Sequence, residues 1–350
     1  MARKSMKRKI QESLDSRPTK KAKKTQTSTS FQHIPAASQA SVALQLPPEL
    51  LLEILSYFKS LPVPIDTRAR MLHEDYLERT DMLRALSQTC KVWRQMFLPL
   101  LWSSLNIVSS HSKSAAWYKT LSESLIRKSE LVREMPELAS YVRCMSLCLS
   151  RYAMPLVLSA LVSMLERLPN LETLQIVRVH PHMITPLKNA FEGRVFPQIQ
   201  VIYLPTAAHH LLRSCPNVVN VTCNSQDDGS TIVGALKKYC KKVEEVKGIY
   251  ESGNILKRLT KAAPQLRTVE INLSASNVEP LKKFKHLQNV VFVFANVTAE
   301  DQQKGLDSRF KPFIQIARDA LKGSTSAILS RKLQCKGKGW VMDIDLTTLN

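Results

Sequence analysis

One spacing recurs along this chain and constrains its fold more than any other feature: an apolar residue, two spacers, a second apolar residue, one spacer and a third. It occurs at Val142-Met145-Leu147, Leu171-Leu174-Ile176 and Ile199-Ile202-Leu204, and again at Val218-Val221-Cys223, Leu266-Val269-Ile271 and Leu287-Val290-Phe292, with a weaker copy at Val243-Val246-Gly248. Side chains alternate across a strand, so the second and third apolar residues of each copy point to one face. The first positions follow one another at intervals of 29, 28, 19, 25, 23 and 21 residues. Pro169, Pro197, Pro216 and Pro264 each stand two residues before a copy, where a helix must end before the strand starts. Helix-like patterns fill several intervals, at Leu156 to Leu168, Ala207 to Ser214, Thr231 to Cys240 and Asn254 to Ala262.

Strand-then-helix units of this length resemble leucine-rich repeats, whose period is about 20 to 29 residues. The Asn or Cys that this family places three residues after the last apolar position is absent: Val179, Ala207 and Gln226 stand there in three copies. The resemblance therefore implies a degenerate array, a curved solenoid in which each unit stacks on its neighbours. An unrelated α/β domain whose strands begin with Pro-x-apolar fits the same pattern. A short strand-like run at Trp102 to Ile107 and a helical pattern from about Ala115 to Arg133 precede the copies. Beyond Phe292 the pattern predicts a loop, a helix from about Arg309 to Leu321 and a terminal strand Trp340 to Leu346 reached through Lys336-Gly337-Lys338-Gly339, which together would cap the array.

Upstream lies a helical module. In Leu46-Pro47-Pro48-Glu49-Leu50-Leu51-Leu52-Glu53-Ile54-Leu55-Ser56-Tyr57-Phe58 the two prolines and Glu49 suit a helix opening, and Leu50, Leu51, Ile54, Leu55 and Phe58 share one wide face. A second helix is predicted from about Met82, with the stripe Leu83, Leu86, Cys90, Trp93 and Phe97, and Pro99 as its stop. The sequence Leu-Pro-Pro-Glu-Leu followed by Ile54-Leu55, and later Leu86 through Thr89-Cys90-Lys91-Val92-Trp93-Arg94, resembles the F-box. The resemblance implies a three-helix module that docks on the adaptor subunit of an SCF-type cullin-RING ubiquitin ligase and, through it, on a cullin. Leu46, Pro47, Leu50, Ile54, Leu55, Leu86, Cys90 and Trp93 match adaptor-binding or module-core positions, which the pattern does not divide. Between Phe58 and Met82 this chain inserts residues 59–81, longer than the usual connection, within which Arg68 to Arg79 carries a helical pattern of its own. Irregular leucine-rich repeats often follow F-boxes of the fungal type, so the two resemblances agree.

The chain has 350 residues, 44% of them hydrophobic, and a net charge of +21. That composition can bury a core. Residues 1 to 30 contribute ten basic and two acidic side chains, hence +8, and leave +13 on the rest. A segment so charged and so poor in apolar residues is expected to be disordered. Its clusters Lys7-Arg8-Lys9 and Lys20-Lys21-Ala22-Lys23-Lys24, ten residues apart, resemble a bipartite nuclear-localisation signal that an import receptor reads. The bland alternative is a solvated tail that holds nucleic acid without specificity. The N-terminus shows no apolar stretch of a secretory signal, and the most apolar window, Met154 to Leu165, is too short to span a membrane. The odd, scattered cysteines read as free thiols, Cys144 and Cys148 among them, and their spacing suits no metal.

The sequence is thus read as an α/β chain with a basic tail and linker at 1–43, a helical module at 44–102, a repeat-like domain at 103–308 and a cap at 309–350. No catalytic, cofactor or metal motif is present: His209-His210, Glu244-Glu245 and Asp227-Asp228 are sequence neighbours that make no convergent site. The expected function is a non-catalytic substrate receptor of a ubiquitin ligase, acting in the nucleus and, secondarily, the cytoplasm, on a target protein that the sequence does not name. A nuclear, nucleic-acid-associated repeat scaffold, motivated by Lys237, Lys238, Lys241 and Lys242, is the alternative, and an F-box protein that works with the adaptor alone is a third.

Overall fold

A computed structural model describes residues 47–58, 75–108, 116–223, 229–250, 254–273, 277–294, 297, 310–325, 331–337 and 339–346. The chain divides into two units, Met1–Leu51 and Leu52–Asn350. Of the first, the described residues 47–51 form the start of a helix, α1 (Pro48–Ser56). The Pro47 carbonyl accepts from the amides of Leu50 and Leu51 at 3.1 and 3.5 Å, so the prolines sit where a missing donor costs nothing.

In the second unit, α2 (Asp75–Thr89) and α3 (Lys91–Trp102) pack on each other. The second helix of the sequence reading is therefore two helices. Cys90 interrupts it with extended backbone (φ −153°, ψ 170°), and its Sγ accepts from the Trp93 amide at 3.5 Å as an N-cap. α2 also starts earlier than expected, at Asp75, and absorbs the end of the helical pattern placed at Arg68 to Arg79, whose first part lies outside the described residues. Nor does Pro99 stop the chain: α3 runs through it to Trp102, and the Pro99 carbonyl still accepts from Ser103 at 2.9 Å. One missing amide is outweighed there by the helix continuing into the partly buried Leu100, Leu101 and Trp102.

From Ser104 onward one ten-stranded sheet follows chain order. Its strands are β1 (Ser104–Ile107), β2 (Cys144–Leu149), β3 (Thr173–Val179), β4 (Val201–Leu204), β5 (Asn220–Cys223), β6 (Glu245–Tyr250), β7 (Thr268–Asn272), β8 (Asn289–Phe294), β9 (Lys332–Gly337) and β10 (Trp340–Ile344). All neighbours pair parallel except β9 and β10. The recurring apolar spacing is the register itself. Met145, Leu174, Ile202, Val221, Val246, Val269 and Val290 are successive partners across the sheet, each at most 1% exposed. In β6 the third apolar residue is Ile249 rather than Gly248. Gly248 adopts φ +70° inside a bulge, which brings Ile249 opposite Ile271.

The connecting elements are α4 (Trp117–Glu134), α5 (Pro136–Tyr141), α6 (Met154–Glu166), α7 (Ile184–Ala190), a 3₁₀ helix at Thr206–Ser214, α8 (Ser230–Tyr239), α9 (Ile255–Ala262), a 3₁₀ helix at Glu279–Lys283 and α10 (Lys311–Lys322). From α6 on, each packs against the next in chain order, and the core lies between this row and the apolar face of the strands. The segment at 206–214 was expected to be α-helical. It lies in the shortest interval, 19 residues, where a 3₁₀ helix at about 2.0 Å per residue spans the strand length with fewer residues than an α-helix at about 1.5 Å. The opposite face carries polar pairs: Ser146 Oγ lies 2.9 Å from Gln175 Oε1, Lys247 pairs with Glu245, and Lys336 with Glu270 at 3.2 Å.

The array extends further than the sequence pattern at both ends. Trp102-Leu105-Ile107 has the recurring spacing, and β1 pairs with β2. The cap expected from residue 309 supplies β9, an unpredicted strand that continues the parallel pairing beside β8. Among the described strands β10 alone turns back, and the Trp340 ring lies across Gly337, where a Cβ would collide with the indole. Trp340 Nε1 donates to the Val297 carbonyl at 3.1 Å.

Two predictions follow from this packing. Leu174→Ala, at a position 1% exposed, is expected to lower unfolding free energy by about 2 to 5 kcal/mol, whereas Leu156→Ala, 65% exposed, should change it by less than about 0.5 kcal/mol; urea denaturation measures both. Burial raises the thiols of Cys144 to about 11 and of Cys148, Cys240 and Cys335 to about 12, and raises Cys215 as well. Above the ordinary thiol value of 9.0 the unfolded chain releases protons that the folded chain keeps, so this stabilisation is complete below pH 9 and is lost towards pH 12. Lys128, lowered to about 8 by burial and then by Arg84 and Arg127, acts in the opposite sense between pH 8 and 10.5. With five thiols against one lysine, the melting temperature should fall steeply once pH exceeds about 9. A melting temperature that is flat or rising from pH 9 to 11 would contradict this.

Candidate functional site

Large apolar side chains exposed to solvent concentrate on the helical stretch before the sheet. On and just after α1, Leu50, Leu52, Ile54 and Tyr57 are 52, 50, 52 and 79% exposed, while Leu51 and Leu55 are buried. The four-residue spacing of Leu51 and Leu55 defines the inner side of the helix. Leu50 and Ile54 have the same spacing and remain outside. A short helix with two apolar stripes, one buried and one open, is built to be covered on both.

In α2 and α3 the expected stripe divides by depth. Leu83 and Phe97 are buried, and Leu86, Cys90 and Trp93 are partly buried. The Trp93 ring meets Phe97 edge-on, with centroids 5.8 Å apart and planes at 89°. That geometry anchors Trp93 on the module core and leaves part of its ring accessible. Of the residues selected from sequence, Pro47, Leu50 and Ile54 are thus exposed, Leu86, Cys90 and Trp93 are intermediate, and Leu55 is core at 2% exposure. Leu46 and the tail residues Lys7, Arg8, Lys9, Lys20, Lys21, Lys23 and Lys24 lie outside the described residues, as do 59–74. The sequence reading passed over Leu52, Tyr57 and Val92, the last 56% exposed. Their signal was apolar character off the buried stripe.

On α2 Arg84 pairs with Asp81 at 2.5 Å, both side chains well exposed, so solvent screens the pair. Glu49 and Glu53 of α1 and Lys91 and Arg94 of α3 are exposed as well.

Other sequence candidates have structural duties. His209 and His210 lie on the 3₁₀ helix with ring centroids 3.8 Å apart and planes tilted at 41°, and His209 Nδ1 is 2.9 Å from the Thr206 carbonyl. Lys241 reaches the Lys237 carbonyl at the end of α8, and Lys242 reaches the Asn217 side chain in the turn before β5 at 2.8 Å. Glu244 pairs with Arg267 at 3.3 Å. Asp227 and Asp228 lie outside the described residues. Among the described residues no three of His, Cys, Asp or Glu converge, and no helix is long and apolar enough to cross a membrane.

Comparison with protein families matches residues 43–108 to the F-box-like family. An F-box-like domain is therefore present, covering about a fifth of the chain and containing α1, α2, α3 and β1. Comparison with curated proteins finds no match.

Proposed function

We propose that this chain is the substrate-recognition subunit of an SCF-type cullin-RING ubiquitin ligase. F-box-like domains dock on the ligase adaptor, and through it on a cullin. The observation that carries the reading is the open apolar stripe of Leu50, Ile54 and Tyr57, with Leu52 beside it, inside the matched segment. Such a surface is costly to leave in water and gains roughly 25 cal/mol for each Å² a partner covers. The strand–helix array then serves as the target-binding part. Its parallel strands in chain order, its 19 to 29 residue intervals and its polar outer face support reading it as a degenerate leucine-rich-repeat solenoid of the kind that follows fungal F-boxes.

In this reading the chain forms and breaks no bonds. It holds a target near a ubiquitin-charged enzyme and raises the effective concentration of the reacting groups. The bipartite basic tail, Lys7 to Lys9 and Lys20 to Lys24, places the assembly in the nucleus through an import receptor. The alternative reading, a nuclear scaffold that holds nucleic acid, draws on the exposed cluster Lys237, Lys238, Lys241 and Lys242.

Leu50 and Ile54 test the docking cleanly, since both are half exposed, whereas loss of Trp93 would also remove its contact with Phe97. The double change Leu50→Ala with Ile54→Ala is expected to weaken adaptor binding by about tenfold or more, or about 1.4 kcal/mol, with an unchanged melting temperature. Calorimetric titration with purified adaptor measures it. Unchanged affinity in a folded double variant would overturn the assignment.

A further inference from the structure

A cavity of about 650 Å³ opens where β2 and β3 end. That volume is in the range of sites that bury a ligand group, and the C-terminal ends of parallel strands are where such sites gather in α/β sheets. Three aromatic rings wall it. Trp117 and Tyr118 come from the start of α4 and Tyr152 from the turn after β2; the Trp117 and Tyr118 centroids are 6.2 Å apart, and Tyr118 and Tyr152 6.1 Å. Three basic side chains, Arg151, Arg178 and His180, complete the lining, and no acidic residue contributes to it.

The walls are fixed from behind. Ser122 and Ser150 are buried with their hydroxyls 3.0 Å apart, both 3.1 Å from the Tyr118 carbonyl, and Ser122 Oγ lies 3.2 Å from the Tyr152 carbonyl. These bonds tie the α4 start to the β2 turn, so the backbone that carries the two tyrosines is fixed before any ligand arrives. In the same turn Ala153 has φ +46°, the sole non-glycine residue with positive φ among the described residues. Backbone held in that region concentrates at ligand sites.

Among the described residues no acidic side chain pairs with this charge. No ion pair among the described residues involves Arg151 or Arg178; Arg178 instead lies with its Cζ 5.8 Å from the Trp117 ring centroid. His180 is held below its ordinary value by burial and then by the charges of His182, Arg151 and Arg178, so its imidazole is neutral near pH 7 and the field of the cleft comes from the guanidiniums. Cys148 is no nucleophile here, because burial pushes its thiol up to about 12. The cleft is suited to binding rather than to chemistry. Its rim is open, with Tyr118 42% and Tyr152 37% exposed and Leu156 beyond them at 65%, which suits a chain lying across it better than a small molecule enclosed within it.

We propose that this cleft receives an acidic segment of the target protein, with a carboxylate or phosphoryl group held by Arg151 and Arg178 and a neighbouring aromatic or large aliphatic side chain set against Trp117, Tyr118 and Tyr152. Guanidinium pairs match both anions in fork geometry, and aromatic walls supply the apolar contact that fixes the side chain beside the charge. The proposal deepens the receptor reading and rests on it for the identity of the ligand as a target.

The test is fluorescence anisotropy with the full chain at physiological salt and three short labelled peptides, in which phenylalanine is flanked by glutamate, by phosphoserine or by glutamine. Both acidic peptides, or one of them, should bind, and the glutamine peptide should not; the stronger of the two acidic peptides distinguishes carboxylate from phosphate. Arg151→Ala with Arg178→Ala should weaken the acidic peptide by about tenfold or more, while Lys237→Ala with Lys238→Ala, which removes the same charge elsewhere, should change it by less than about twofold. Equal losses in the two double variants, equal binding of the glutamine peptide, or no binding of either acidic peptide would overturn the proposal. Both arginines are exposed, so melting temperatures should not move. Adaptor binding measured on the same samples separates the two readings: its retention in the arginine variant locates the loss at the cleft, and its absence in every sample refutes the ligase reading while the peptide results still decide the cleft.

Discussion

One hydrogen-bond arrangement repeats at the entry of nearly every strand, and the sheet depends on it. The carbonyl of Ser103 accepts from the amides of both Arg143 and Cys144 at 2.9 Å; Arg143 in turn accepts from Glu172 and Thr173, Glu172 from Gln200 and Val201, and Gln200 from Val219 and Asn220. Val219, Glu244 and Arg267 continue the series. Each carbonyl uses both lone pairs to seize the start of the next strand, so no buried backbone group is orphaned where the chain changes from turn to strand. The register of the apolar residues follows. Once Arg143 and Glu172 are fixed, Met145 must face Leu174, and so on to Val290 and Leu333.

This device explains how connectors of unequal length are tolerated. The turn before a strand closes locally, as in Leu171 to the Leu168 carbonyl at 3.3 Å and Val218 to the Cys215 carbonyl at 3.4 Å, with Pro169 and Pro216 presetting the turn. Asn170 and Asn217 then reach the preceding turn through their side-chain amides, bonding Ser140 and Pro197 carbonyls at 2.8 and 2.9 Å. What lies between one strand and the next turn is free to be α6, a 3₁₀ helix or a short α9, provided it offers apolar residues to the core. Backbone and pre-strand residues thus carry the stacking of one strand on the next.

Much of this was legible in the sequence. The apolar spacing located β2 through β8, since period-two alternation bounded by proline admits little else, and α4, α6, α8 and α9 followed from their amphipathic patterns. β9 was not legible: Leu333 and Cys335 stand on the core face, but Ser330 occupies the first apolar position, Lys332 opens the strand and Lys336-Gly337 closes it. Its place is set by the open edge of β8. The break at Cys90 was hidden because the stripe from Leu83 to Phe97 keeps a helical period straight through it, and Pro99 misled because tertiary burial outweighs one lost amide bond. In the helical module, sequence identified the residues but not their depth; Leu55 and Ile54 are neighbours in the pattern and opposite in exposure. The aromatic and basic cleft escaped notice altogether, since Trp117, Arg151 and Arg178 are far apart in sequence and belong to no motif.

The two proposed surfaces differ in chemistry. The exposed residues Leu50, Ile54 and Tyr57 are apolar and are proposed to meet the adaptor; the cleft at the ends of β2 and β3 is cationic and aromatic and is proposed to select among acidic segments. On the proposed reading the helical stretch holds the adaptor while the sheet stays available. Hydrogen exchange of the full chain with and without purified adaptor tests it most directly. Slowed exchange confined to 47–58 and 75–102, with β2 to β8 unchanged, is the predicted result; protection centred on the sheet, or none in α1, would contradict it.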